Sequence, residues 1–403
     1  MSALRLVLCI LLMLATGCVT HTVRSTQVPA IGMPAAPIPE AFLLDVGIVA
    51  FDPGIDDHDE DEDMPIYPEV RRAESLFLPN QLAAALQESG AWGAVRVLPD
   101  ESQLTDLVIT GKILHSDGEK LQLAVRASDS RGVTWLDKTY KSHASGYAYT
   151  VTARSSQDPF QAIFNQIAND LLAALEKVEL GERREVRLVT ELLFAQSFSE
   201  EAFRGYLVRE SGKTYSIVRL PADEDPMLNR VRKIRERDHL FIDTLQDYYM
   251  TFDELMSDPY HEWRRLSYEE VIAIQELKAQ SRQQLITGAI AVLGGIAAQV
   301  EGDHEASRAA GRIAVLGGAY IIKSGLYKRN ETQIHVEALQ ELGESMEMEI
   351  APKVIELEDR TITLSGSVED QYAQWRDLLA EIYRKEVGDL QPLEAVASDP
   401  ATL

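Results

Sequence analysis

The chain has 403 residues, 45% of them hydrophobic and 7% aromatic, and a formal net charge of −25. That length and apolar content allow two or three domains with buried cores. The negative charge excludes a nucleic-acid partner and unaided adhesion to anionic lipid, because both surfaces would repel it.

Residues 1–17 read as an export signal. Arg5 charges a short leading region, Leu6 to Leu14 is an uncharged apolar run, and Ala15, Thr16 and Gly17 stand directly before Cys18. The run is too short for a stable transmembrane helix, which needs about 20 residues. Cleavage before Cys18 removes Cys9 and Arg5, leaving one cysteine and a net charge of −26. A lone cysteine forms no internal disulfide. The segment resembles the bacterial lipobox, with Ala15 where leucine is usual and Leu14 one place earlier. This resemblance implies a diacylglycerol thioether on Cys18 and an acylated N-terminus, which anchors at about 0.8 kcal/mol per buried CH2. It leaves no free thiol for catalysis or metal binding. Val19 in place of Asp implies the outer membrane, with the body on its periplasmic face.

Residues 18–41 carry Pro29, Pro34, Pro37 and Pro39 among small residues and are expected as an extended tether, an ordered arm being the alternative. Residues 42–180 read as one α/β domain. Leu43 to Phe51 is a buried-strand run, and Pro68 to Ser89 a helix stopped by Gly90. Strands follow at Val95 to Leu98, Leu107 to His115, Leu121 to Ser128 and Val133 to Ser142, with a hairpin turn at Ser116 to Glu119. Asp158-Pro159 opens a helix whose Phe160, Ile163, Ile167, Leu171, Leu172 and Leu175 share a face. With its β-α-β-β-β-β-α order and lipid anchor, the domain resembles those of penicillin-binding-protein activators and of the curli-secretion pore subunit.

Residues 181–225 are expected as a mixed connector, with a short helix from Ser199 and a hairpin around Ser211 to Lys213. Residues 226–329 read as long helices. Asp225 and Pro226 suit a helix start. Leu228, Val231, Ile234, Phe241, Leu245, Tyr248, Phe252 and Leu255 form an apolar seam with a gap at Asp238, and Asp258-Pro259 is expected to end the helix. Ser267 to Glu270 then forms a capping box.

Ile290 to Gly295 recurs letter for letter as Ile313 to Gly318, each copy within an uncharged segment. Glycine costs a helix about 1 kcal/mol relative to alanine, so Gly288, Gly294, Gly295, Gly317 and Gly318 point to backbones that pass closely. The expectation is an antiparallel helical hairpin, placed either at a soluble or oligomeric interface or in a membrane. Residues 330–388 follow an α-β-β-α order around Ile362 to Asp370, ITLSGSVED, which resembles the BON module of periplasmic proteins. Residues 389–403 read as a loose tail. The fold class is thus α+β: a sandwich-like α/β domain, long helices with a glycine-rich hairpin, and a small αββα unit.

Chemistry is harder to find. The run Asp56 to Asp63 lacks the glycine and glutamate spacing of a calcium loop. Gly212-Lys213-Thr214 lacks the earlier glycine of a phosphate loop, and Leu207 occupies its place. His239, His261 and Glu262 have no metal-ligand spacing. No catalytic residue, metal or cofactor is expected. The leading expectation is a noncatalytic, lipid-anchored envelope scaffold or assembly factor. It would hold the membrane through its lipid, contact an envelope protein and form a homo-oligomer through its glycine helices. The alternatives are a subunit of an outer-membrane transport or pore assembly and an envelope-polymer hydrolase.

Overall fold

A computed structural model describes residues 28–55, 67–100, 103–150, 158–209, 214–222, 224–297, 334–341, 344, 353–356 and 361–388, with backbone alone at 277, 278, 280–297, 356, 387 and 388. The fold is α+β, 56% helical and 20% strand, and much of its helical content comes from one very long helix. Five strands, β1 (Val46–Val49), β2 (Val95–Leu98), β3 (Leu107–Ser116), β4 (Lys120–Asp129) and β5 (Thr134–His143), form a sheet of order β2-β1-β3-β4-β5. β1 is parallel to β2 and β3, and the rest are antiparallel. The short β1 is buried at every position, as a central strand between parallel neighbours should be.

Helix α1 (Pro68–Ser89) connects β1 to β2 and ends at Gly90, whose φ of 63° places it in the left-handed region suited to glycine. Pro79 lies inside α1 and leaves the Ser75 carbonyl without an intrahelical donor. The N–H of Phe51 donates to that carbonyl at 2.9 Å, so the defect ties the helix to the chain leaving β1. Helix α2 (Gln161–Leu175) buries Ile163, Ile167, Leu171, Leu172 and Leu175, with Phe160 just before it.

Three sequence expectations change. The connector contains α3 (Leu180–Phe198), opened by a reciprocal capping box between Glu179 and Glu182. Its apolar face is interrupted by buried Arg183 and Thr190, which hides the helical period. The short α4 (Glu200–Phe203) and the hairpin of β6 (Leu207–Arg209) and β7 (Tyr215–Ile217) follow.

The second change is at Pro259. Helix α5 runs unbroken from Pro226 to Ala297, with Pro259 inside it. The carbonyl that Pro259 orphans belongs to Leu255, which is 57% exposed, so water can satisfy it. Buried Met256, Tyr260 and Trp263 hold the helix on both sides. The seam also differs in detail: Asp238 is buried within it, Leu255 faces solvent, and Tyr249 and Met256 are buried in its place.

The third change concerns the tether. From residue 28 the chain is laid along α2. Asn165 Nδ2 donates to the Pro29 carbonyl, Asn169 Nδ2 to the Ala30 carbonyl, and the Gly32 N–H to Asn169 Oδ1, at 2.8, 3.0 and 2.7 Å. Ile31 and Ile38 pack against the core. The ordered-arm alternative describes these residues.

β8 (Lys353–Glu356) and β9 (Thr361–Leu364) form the expected hairpin, and α6 (Val368–Gly388) follows. Ser367 and Asp370 cap α6 reciprocally, each side chain accepting from the other's N–H. Leu364, Tyr372 and Leu379 join the same continuous apolar core as the sheet, α1, α2 and α5. The C-terminal unit therefore shares its core with the body.

Candidate functional site

The feature that organises the molecule is α5, which the body grips along about 50 residues. Near its start, Leu228, Val231 and Ile234 are buried, and Arg232 makes a two-pronged pair with Glu191 of α3 at 2.6 and 3.1 Å. Next comes Asp238, 2% exposed. Arg376 of α6 approaches it at 3.7 Å while lying over the rings of Phe194 and Phe198. Burial pushes the Asp238 carboxyl up to about 6, against the opposing pull of Arg376. One turn on, Phe241 stacks on Trp375 with centroids 4.8 Å apart.

The middle of α5 closes the sheet edge. Asp243 receives two hydrogen bonds from Arg96 of β2, and Gln246 bonds both main-chain groups of Val97. His239, on this side, is pushed down to about 4, chiefly by burial and then by Arg235 and Arg96. Asp106, just before β3, accepts from the Thr190 hydroxyl and the Asp45 N–H. Burial nevertheless raises its carboxyl above the ordinary value. Farther along, Asn80 and Gln81 of α1 bond the Tyr249 carbonyl and the Asp253 carboxylate.

The grip is tightest at the far pole. Glu74, fully buried on α1, accepts from Tyr260 at 2.6 Å and from Ser116. Arg264, 3% exposed, donates twice to Asp158 and lies over the Tyr260 ring at 4.1 Å. Burial would lower its pKa, but Asp158 outweighs that and holds the guanidinium above its ordinary value. Asp158 also caps the approach to α2 through the Phe160 N–H. The β3–β4 turn sits directly on α5. The Gly118 N–H donates to Ser267 Oγ, and a Cβ at Gly118 would collide with the Arg264 carbonyl oxygen. Tyr149 reaches the Gly118 carbonyl and packs against Tyr268. Among the described side chains, Gln275 makes the outermost contact of α5 with the body, to Glu119 at 2.6 Å.

Beyond Gln275 the backbone continues as helix to Ala297. It places Gly288, Gly294 and Gly295 on the outer end of the gripped helix. Cys18, Gly317, Gly318 and the acidic run Asp56 to Asp63 lie outside the described residues. The expected pairing of the two glycine segments lies outside them too.

Other features offer little chemistry. Among the described residues, no group of three His, Cys, Asp or Glu could hold a metal ion, and no helix is long and apolar enough to cross a membrane. His115 lies 2.7 Å from Asp117. Burial pushes the Asp117 carboxyl up, but His115 and the N–H groups of Lys120 and Glu119 outweigh it and hold it low. That carboxylate shapes the turn. A cavity of about 70 Å³ at the ends of the parallel strands, lined by Ala50, Leu76, Pro99, Tyr249 and Val368, has room for a few waters at most. Ligand sites are usually about 300 Å³ or more.

The sequence pointed to the glycines and Cys18 but missed the pole. Its key charges, Glu74 and Arg264, stand among other charged residues in the sequence, and only the fold shows that these two are buried. The chain matches no known protein family, no curated protein and no solved structure.

Proposed function

We propose that this chain is a noncatalytic scaffold of the cell envelope, tethered to the outer membrane through lipid on Cys18. The single observation that carries the reading is α5. The α/β body invests a buried ion pair, a sheet edge and a turn in holding one helix, and the glycine-bearing end of that helix continues beyond the grip. Such an arrangement suits presentation of a segment for assembly. The glycines then let copies of the helix approach closely, and the rest of the body contacts an envelope protein partner.

Two experiments test this. Cys18→Ala is expected to abolish labelling by radioactive or clickable fatty acid and to release the chain from the membrane fraction. The double variant Gly295→Leu, Gly318→Leu is expected to reduce the native mass of the detergent-extracted protein. An unchanged mass would remove the assembly role of the glycines.

A further inference from the structure

We infer that the outer end of α5 is directed into the same lipid layer that holds the Cys18 anchor, with residues 285–297 entering one leaflet of a phospholipid bilayer. This rests on the reading of Cys18 as the lipid attachment point, and on where the two ends leave the body.

The arm after the anchor runs parallel to α2. Pro29 lies at Asn165, while Gly32 lies at Asn169 and Leu172. Residue 28 is therefore at the end of the arm nearest the start of α2. That start is the pole where Asp158 holds Arg264 and the β3–β4 turn rests on Ser267. α5 leaves the body at the same pole, its outermost side-chain contact among the described residues being Gln275 on Glu119. The anchored end and the helix end thus emerge together.

Their reaches decide which of them enters lipid. The step from Cys18 to Val28 is ten residues, at most about 36 Å when fully extended. Residue 28 lies about 6 Å behind the start of α2, since Pro29 stands at Asn165, four residues past Gln161. A lipid on Cys18 therefore holds the membrane surface no more than about 30 Å in front of that start, where Asp158 holds Arg264. Helix α5 needs about 31 Å from Arg264 to reach Leu285, and about 50 Å to reach Ala297. A helix that leaves the pole toward the anchor has thus passed the surface when it arrives at Leu285.

The sequence changes at that point. Lys278 and Arg282 precede Leu285, and from there to Val300 there is no Asp, Glu, Lys or Arg. Basic residues suit the phosphate level and the uncharged stretch suits the acyl layer. Residues 285–297 span about 20 Å as helix, enough for one leaflet and short of the ~30 Å hydrocarbon layer. This agrees with the finding that no described helix is long and apolar enough to cross.

The test uses the acylated mature chain in phosphatidylethanolamine–phosphatidylglycerol vesicles. Leu293→Cys carries a polarity-sensitive fluorophore, and Leu220→Cys, a 62% exposed position ahead of α5, serves as the control. A quencher attached to lipid acyl chains is expected to dim the label at 293 severalfold more than the label at 220, with a blue-shifted emission at 293 alone. Equal weak quenching at both sites in vesicle-bound protein would overturn the inference while leaving the anchor intact. A blue shift at 293 without lipid quenching would mean burial between copies, and would also overturn it. Failure of the acylated chain to float with vesicles would instead remove the anchor reading, and the inference with it.

Discussion

The side chain of Gln246 on α5 pairs with the main chain of Val97 on β2, accepting from its N–H at 2.9 Å and donating to its carbonyl at 3.0 Å. An edge strand otherwise offers unpaired groups to other chains. One glutamine here does for the edge what another strand would do. Gln246→Ala is expected to cost about 1–2 kcal/mol in a denaturant titration and to raise light scattering at high protein concentration. Unchanged scattering would show that β2 is protected in another way.

Gly118 is expected to be intolerant of any side chain. A Cβ there would collide with the Arg264 carbonyl oxygen and the Tyr268 nitrogen, both backbone atoms that cannot swing aside. Gly118→Ala should cost about 3 kcal/mol by overpacking, seen as a lower Tm. Gly181→Ala is the control. Nothing lies within 4 Å of the point where its methyl group would stand. It should leave Tm unchanged or slightly raised, since alanine favours helix over glycine.

The Arg264–Asp158 pair makes a different prediction, because removing one buried charge strands the other. Arg264→Met should cost about 3–5 kcal/mol. Arg264→Met combined with Asp158→Asn should cost less than Arg264→Met alone, since the asparagine still accepts from Phe160 and leaves no unpaired charge. A double variant as unstable as the single one would mean that Arg264 acts through its packing on Tyr260.

How much of this was visible in the sequence depends on what each element hides. The β-α-β-β-β-β-α order was legible, because alternation and turn residues such as Asp117-Gly118 report strands directly. Helix α3 was not, because Arg183 and Thr190 break its apolar face and find their partners elsewhere: Thr190 meets Asp106, 84 residues earlier. Pro259 misled for a related reason. Whether a proline ends a helix depends on what satisfies the freed carbonyl, and that is a tertiary matter. Asp238 read as a gap in the seam because its partner, Arg376, comes from α6. The glycines and Cys18 were named from sequence, whereas the pole where Arg264 meets Asp158 needed the fold.

Acid and base should act on stability with opposite signs through two neighbouring residues. His239 is held down at about 4 against an ordinary 6.5, so its contribution is full above 6.5 and is lost as pH falls through 4. Asp238 is raised to about 6 against 3.8, so its contribution is full below 3.8 and is lost as pH rises through 6. His239→Gln should flatten the acid-side decline between about pH 6.5 and 4, and Asp238→Asn the decline between about pH 4 and 6. Denaturant midpoints measured across roughly pH 3.5–7.5 check both slopes.

The proposed function has the gripped helix present its outer end for assembly at the membrane. The most direct measurement of that claim places a photo-crosslinking amino acid at Val292 in the full chain, in cells, and follows the products by mass. The predicted result is a set of products at multiples of this chain's own mass in the membrane fraction, lost in the Gly295→Leu, Gly318→Leu background. No self-product, or an unchanged ladder in that background, would contradict it.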